Sequence, residues 1–309
     1  MASCFVTRLL PGGALDRLAK EHDVEIWSGR MPPSYEELTD HVKPTEGLLS
    51  MLTDRVDAQL IAAAPRLRAI SNYAVGHDNI DLAAAAARRI EVGNTPGVLT
   101  DATADLAFAL LMAAARQVPE VDAAVREGDW KTWEPGRYLG ADVYGATLGI
   151  IGLGRIGQAV AERARGFGMH VVFTTGSSST QELHALLEQS DFVSIHAPLT
   201  AATRQLINED ALGWMKPTAI LINTARGEIV DQRALARALH DEAIGGAALD
   251  VTTPEPLPAD DPLLEAPNLI VTPHIGSATR TAREQMADLA VDNLLAALDG
   301  RPMPHQVTA

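Results

Sequence analysis

Cysteine is almost missing from this chain, Cys4 being the only one. A single thiol closes no intrachain disulfide and cannot supply a four-cysteine zinc site, so no metal is expected and a reducing compartment fits. Long apolar runs are missing too. The longest, 106–115, lies between Asp105 and Arg116 and falls well short of the ~20 residues that a membrane-spanning helix needs. Near the N-terminus, the run beginning Phe5-Val6-Thr7 is cut by Arg8 before it would serve as the apolar region of a secretion signal. A soluble, cytoplasmic protein is expected. Basic charge is scarce: 25 Lys+Arg stand against 40 Asp+Glu, the net charge is −15, and no stretch carries a run of Lys or Arg. Such a balance repels polyphosphate, which argues against nucleic acid or a membrane surface as partner.

What the chain has is length and rhythm. Its 309 residues exceed what one core usually serves, since cores stop growing near ~250–300 residues, and two domains are expected. Short β-branched runs alternate with Ala/Leu-rich helical stretches, the pattern of parallel α/β units. In the first third, strands are predicted at 5–7, 24–27, 47–51, 68–71 and 91–92, with helices at 13–20, 34–41, 56–63 and 80–89 between them. Asn94-Thr95-Pro96-Gly97 then punctuates the chain, and Thr100-Asp101 caps a long helix predicted to run to about residue 127. A second series has strands at 146–151, 170–174, 191–195, 219–223, 246–249 and 269–272, followed by a last helix at about 281–298. That helix has no sheet of its own to cover, so it is expected to pack back on the first series. The predicted fold is α/β, with two Rossmann-like or flavodoxin-like domains of parallel sheet separated by a cleft. The discontinuous domain would be 1–97 plus 281–309, and the dinucleotide-binding domain 98–280.

The strongest local signal is Gly152-Leu153-Gly154-Arg155-Ile156-Gly157, directly after an apolar strand and opening a helix. The first glycine permits the tight turn, the second lets backbone approach a pyrophosphate, and the third allows close helix-on-strand packing. Phosphates then sit on free amides at the positive end of the helix dipole. The same motif calls for an acid about 20 residues on, to hold the ribose 2′-hydroxyl of NAD. Here the second strand ends in Thr174-Thr175 and runs into Gly176-Ser177-Ser178-Ser179-Thr180, with no carboxylate before Glu182. A carboxylate about 4 Å from a 2′-phosphate costs on the order of 4 kcal/mol at an effective dielectric near 20, enough to reject NADP about a thousandfold. Without that barrier, NADP(H) is favoured and NAD(H) is the alternative. Thr175, Ser177 and Ser178 offer hydroxyls, with Arg155 within possible reach of the same phosphate, unless the serines merely form a polar turn.

Three strand ends on the carboxyl side of the second series carry the remaining ionisable groups, where open α/β folds bind ligands. They are Asn223-Thr224-Ala225-Arg226-Gly227, Asp250-Val251-Thr252-Thr253-Pro254-Glu255-Pro256 and Thr272-Pro273-His274-Ile275-Gly276-Ser277. Arg226 supplies a planar fork suited to a carboxylate. His274 is able to give or take a proton near pH 7, and a neighbouring carboxylate such as Glu255 favours the charged form of an imidazole. His196, also at a strand end, competes with His274 but has no paired acid and arginine beside it; a packed or cofactor-adjacent role suits it better. Two of the four tryptophans fall in Trp130-Lys131-Thr132-Trp133-Glu134-Pro135, which is either a loop covering core surface or an oligomer arm.

These residues resemble the D-isomer-specific 2-hydroxyacid dehydrogenases, and within them most closely the glyoxylate/hydroxypyruvate reductases. The resemblance runs from residue 5 to about 307. It is carried by Phe5-Val6-Thr7-Arg8, the Val75-Gly76 turn with Asp78, Pro96-Gly97-Val98-Leu99-Thr100-Asp101, Trp130-Lys131-Thr132-Trp133, the stretch 250–258, and Pro273-His274-Ile275-Gly276-Ser277-Ala278-Thr279. It implies a catalytic triad of Arg226, Glu255 and His274, with the substrate carboxylate held by Arg226 and the backbone amides of Val75 and Gly76. Cofactor contacts would fall on Thr103, Gly152, Leu153, Gly154, Arg155, Ile156, Thr175, Ala225, Asp250 and Gly276, and also on Pro198 and Thr203. The dimeric members imply a homodimer in which Trp133 reaches the partner subunit's substrate pocket.

Two departures stand out. NADP-preferring members often carry arginine after a Thr-Gly pair at the second strand end, where Ser177 follows Thr175-Gly176 here. The stretch 175–190 is also shorter than usual and is expected to lack a strand flanking the adenine pocket. The implied activity is NAD(P)H-dependent reduction of a small 2-oxo acid, glyoxylate or hydroxypyruvate, to the D-2-hydroxy acid. Phosphoglycerate dehydrogenase and a nucleotide-sensing, corepressor-like binding protein are the alternatives. Formate dehydrogenases pair glutamine rather than glutamate with the histidine, and phosphite dehydrogenase has a lysine where Val75 stands.

Overall fold

Buried parallel strands read as short apolar runs because both faces are covered by helices, and those runs become the two sheets of this chain. The computed structural model describes residues 1–176 and 178–308. It divides into two units, Met1–Leu99 with Ser277–Ala309 and Thr100–Gly276, against the expected junctions after residues 97 and 280.

In the first unit, strands β1 (Ser3–Val6), β2 (Asp23–Ile26), β3 (Gly47–Ser50), β4 (Ala69–Asn72) and β5 (Glu91–Gly93) are joined by helices α1 (Ala14–Glu21), α2 (Tyr35–Val42), α3 (Ala58–Ala63) and α4 (Leu82–Ala87). The strands are parallel in the order β2-β1-β3-β4-β5. Polar caps start the helices where the sequence turns: Ser34 and Glu37 form a reciprocal capping box at α2, and Asp57 and Asp81 accept from the backbone of α3 and α4. Phe5, Leu38, Leu48, Leu60 and Ile70 fill the core on one face.

The second unit begins with α5 (Thr100–Ala115) and α6 (Val118–Arg126). It continues through β6 (Thr147–Ile151), α7 (Arg155–Gly166), β7 (His170–Thr174), α8 (Thr180–Gln189), β8 (Phe192–Ile195), α9 (Glu209–Gly213), β9 (Ile220–Asn223), α10 (Gln232–His240), β10 (Gly246–Leu249) and β11 (Leu269–Val271). The strands are all parallel, in the order β7-β6-β8-β9-β10-β11. Leu148, Ile150 and Phe192 face α5 and α7 on one side, while Val193, Leu221 and Leu249 pack with Leu187, Leu212 and Leu235 on the other. The chain then returns through α11 (Arg280–Leu298) and β12 (Gln306–Val307). Helix α11 packs on α1, β3 and β4, and β12 pairs antiparallel with β5.

Every predicted strand occurs, each displaced by two residues at most. The long helix predicted from residue 100 to about 127 is instead two helices. Gln117 takes a left-handed conformation with φ 51°, and Pro119 stands in the first turn of α6. Proline has no N–H to continue a helix and its ring clashes with the turn before it, so the helix breaks there. Between β7 and β8 the only element among the described residues is α8, and β7 is the last strand of the sheet; that matches the shortened stretch 175–190. Among the described residues no helix is long and apolar enough to cross a membrane.

Candidate active site

The crevice at β6 follows from the strand order, which reverses between β6 and β8; open α/β sheets bind ligands outside such a point. Beyond Ile151 the chain turns at Gly152, φ 95°, where an added Cβ would stand 2.6 Å from the Ala197 amide nitrogen. Any side chain would block that turn. A Cβ at Gly157 would run into the Gly152 carbonyl oxygen, so the third glycine allows α7 to seat on β6. Gly154 is different. A Cβ there meets nothing within 4 Å, and the first α7 amides beside it have no partner within the helix. An open backbone cradle at a helix N-terminus fits a pyrophosphate.

At the end of β7, Thr174 is buried while Thr175 and Gly176 are exposed. Ser178 accepts from the Thr175 amide at 3.1 Å, and its own amide donates to the Thr175 carbonyl at 3.0 Å; for Ser178, the polar-turn role is realised. Ser177 lies outside the described residues. Glu182, the first carboxylate after the strand, accepts from the Ser179 amide at 2.6 Å and closes a capping box at α8. Those hydrogen bonds lower its pKa. Thr203 donates to the Pro198 carbonyl at 2.7 Å and accepts from the Thr200 amide at 2.8 Å, closing the loop after β8.

The three ionisable strand ends are built by their neighbours. Asn223, buried at the end of β9, donates to the Arg226 carbonyl at 2.8 Å and accepts from the Ala225 amide at 3.0 Å. Arg226 Nη1 donates to the Ala225 carbonyl at 2.8 Å. Glu255 and His274, each about one quarter exposed, meet at 2.7 Å between Oε2 and Nδ1. The second carboxylate oxygen of Glu255 accepts from the Thr252 amide at 3.1 Å. With a carboxylate at Nδ1, that nitrogen carries the proton and Nε2 is the atom left to exchange one. His274 has φ 54°, a left-handed conformation that costs a non-glycine residue about 1–3 kcal/mol and persists only where surroundings enforce it. Asp250 enforces it. Its carboxylate, 1 % exposed, accepts from Thr272 Oγ1 at 2.6 Å and from the amides of Ile275 and Gly276 at 2.8 and 2.7 Å, while its carbonyl accepts from the His274 amide at 2.9 Å. Thr103 on α5 closes the same corner, its Cγ2 standing 3.3 Å from where a Cβ at Gly276 would lie.

Comparison with known proteins places the chain. The family described as D-isomer specific 2-hydroxyacid dehydrogenase, NAD binding domain, matches residues 108–276. This chain belongs to that family. The glyoxylate reductase of Korarchaeum cryptofilum is 49 % identical over 314 residues, covering 98 % of this chain and 95 % of the relative. That of Thermococcus litoralis is 46 % identical over 317 residues, with 98 % and 96 % covered. Among solved structures, an NADPH-dependent glyoxylate/hydroxypyruvate reductase from Sinorhizobium meliloti in complex with NADP and malonate has a TM-score of 0.88 at 32 % identity, covering 99 % of this chain and 96 % of that one. The chain is an NAD(P)-dependent dehydrogenase, and a nicotinamide dinucleotide is its cofactor.

Several residues of this dehydrogenase that shape the site escaped sequence reasoning. Asn223, Thr252 and Thr272 hold the loops bearing Arg226, Glu255 and His274; the available signal was that each is a polar residue at or just beyond the end of a buried strand. Val75 and Gly76 form a partly buried turn after β4 in the first unit, while Trp133 is 80 % exposed in a stretch without helix or strand.

His196 has Ser194 Oγ at 2.8 Å from Nε2, and burial pushes its pKa down to about 4. It is neutral at pH 7 and has no proton to give there. Because an unfolded histidine titrates near 6.5, the unfolded chain takes up a proton that native His196 refuses as pH falls from 6.5 towards 4, and stability declines across that window. In an NMR pH titration the His196 ring shifts should stay constant from pH 8 to 5; a midpoint above 6 would contradict this environment.

Proposed function

We propose that this dehydrogenase reduces a small 2-oxo acid, glyoxylate or hydroxypyruvate, to the D-2-hydroxy acid. The observation that carries the reading is the 2.7 Å contact of His274 Nδ1 with Glu255 Oε2, with Arg226 just beyond β9, the neighbour of the strand that leads to Glu255. When bound, the reduced nicotinamide supplies a hydride to the substrate's keto carbon. His274 delivers its Nε2 proton to the carbonyl oxygen, and Glu255 both fixes the ring and stabilises it while charged. Arg226 orients the substrate through its carboxylate and polarises the carbonyl. Positioned acid catalysis of this kind contributes typically ~10²–10⁴-fold. The amides of Val75 and Gly76 are the further carboxylate contacts implied by the resemblance.

The turn from Gly152 through Ile156 would hold the cofactor's pyrophosphate, with Thr103, Ala225, Asp250 and Gly276 as further contacts. NADP(H) is the favoured form, supported by the missing carboxylate at Thr175 and by the engagement of Glu182 in its cap. A homodimer is supported by exposed apolar side chains along one stretch: Trp130, Trp133, Leu139 and Tyr144 are 64, 80, 71 and 85 % exposed. A single cysteine, unable to form an intrachain disulfide, supports a reducing, cytoplasmic setting.

The purified protein is expected to oxidise NADPH or NADH when given glyoxylate or hydroxypyruvate. No turnover with any of the four combinations sinks the glyoxylate/hydroxypyruvate reading. His274→Ala should lower kcat by ~10²-fold or more, with cofactor Kd within threefold of wild type; loss of cofactor binding instead would make His274 structural. Thr175→Asp restores the acid at the strand end. It should cut kcat/KM for NADPH by at least ~10²-fold and leave NADH within a few fold, and equal losses for both cofactors would remove Thr175 from the ribose site.

A further inference from the structure

We infer that three asparagines, Asn72, Asn79 and Asn94, are positioning residues that lock the Val75-Gly76 turn, Asn94 setting the direction of the Gly76 amide toward the substrate carboxylate. This rests on the reading that those amides take the carboxylate. The turn after β4 has its carbonyls fastened one by one. Ala74 O accepts from the Thr95 amide at 2.9 Å, Val75 O from Asn94 Nδ2 at 2.8 Å, and Gly76 O from Asn72 Nδ2 at 2.8 Å. In a planar trans peptide the N–H points opposite to the C=O. Three fixed carbonyls therefore fix three N–H directions, those of Val75, Gly76 and His77. Among the described residues, neither Val75 N nor Gly76 N donates a hydrogen bond. Two adjacent backbone donors without an acceptor among the described residues are the kind of groups that take an anion.

The asparagines are themselves held. Asn72, fully buried, accepts from Ser50 Oγ at 3.0 Å and donates to Asn79 Oδ1 at 3.0 Å. Asn79 Nδ2 in turn donates to the carbonyls of Met51 and Asp54 at 3.0 and 2.9 Å. Asn94 is gripped from the returning chain: its carbonyl accepts from Asn293 Nδ2 on α11 at 2.9 Å, and its amide donates to the His305 carbonyl at 3.1 Å. Asn293, also fully buried, accepts from the His305 amide at 3.0 Å. Buried amide side chains are costly unless satisfied, and a satisfied network rigidifies what it touches. Here the touched element is the turn.

Asn94 is the member to test, since it is only partly buried and its side chain reaches the Val75 carbonyl. Asn94→Ala should raise KM for glyoxylate about tenfold and weaken oxalate, a non-reducible carboxylate probe, in parallel. It should leave kcat within threefold, KM for NADPH within twofold, and Tm within a few degrees. Asn94→Ser, whose hydroxyl falls a bond short of the carbonyl, should behave alike. Unchanged KM and oxalate affinity in both variants overturns the proposal, as does a general loss of fold or an equal fall in kcat, either of which makes Asn94 a structural residue. Gly76→Pro, which deletes the amide itself, separates the two readings. If it leaves KM for glyoxylate unchanged, the carboxylate does not bind there; if it raises KM while the Asn94 variants do not, only the asparagine lock is wrong.

Discussion

The buried carboxylate of Asp250 is the interaction on which the loop carrying His274 depends. A carboxylate 1 % exposed is tolerable only with its oxygens satisfied, and the groups that satisfy this one are the hydroxyl of Thr272 and the amides of Ile275 and Gly276. Those residues bracket His274, so the charge that must be paired and the turn that must be strained are one problem with one solution. The left-handed backbone at His274 is held from both sides. Its ring then meets Glu255, itself anchored by the Thr252 amide. A further constraint binds the arginine strand to this edge: a Cβ at Gly227 would collide with the Thr252 carbonyl, so only glycine lets the Arg226 loop lie against the loop that carries Glu255.

Electrostatics run against the net charge. Both expected ligands are anions, and a chain of net charge −15 opposes them at long range. Attraction must therefore be local, and the residues that can supply it are few. Arg226, the imidazole of His274 and the amide end of α7 belong to the second unit, and the amides of Val75 and Gly76 to the first. Backbone amides carry no net charge but cost nothing to reorganise once fixed, which is why their direction matters more here than in a basic protein.

The strands and the three ionisable strand ends were legible because both follow local rules. Strands buried on two faces read as apolar runs, and Arg226, Glu255 and His274 each follow such a run within a few residues. The glycine turn was legible for the same reason. What was not legible depends on partners distant in sequence. Strand β12 is two residues long and exists only by pairing with β5. The asparagine lock joins residues 72, 79, 94 and 293, and no spacing announces it. The split of α5 from α6 lies between these cases: Pro119 was visible, but the left-handed Gln117 has no compositional mark. Asp250 was expected as a cofactor contact; what the structure shows is its carboxylate organising the histidine loop, a role set by tertiary geometry.

The short passage from β7 to α8 has a consequence for cofactor choice. With only five residues between the strand and α8, the capping needs of the helix claim the local polar groups: Ser179 and Glu182 serve the helix end, and Ser178 braces the turn at Thr175. The edge strand is left bare, with Phe173 53 % exposed. A carboxylate at the strand end would reject a 2′-phosphate by several kcal/mol, and an arginine fork would attract it with charge-assisted bonds roughly twice as strong as neutral ones. Neither stands at Thr175. Without an acid or an arginine fork at the strand end, discrimination between the two cofactors would rest on Arg155 and on neutral hydroxyls, each hydroxyl worth only about 0.5–1.5 kcal/mol net, so the proposed preference for NADP(H) is one of degree, in which NAD(H) is still admitted.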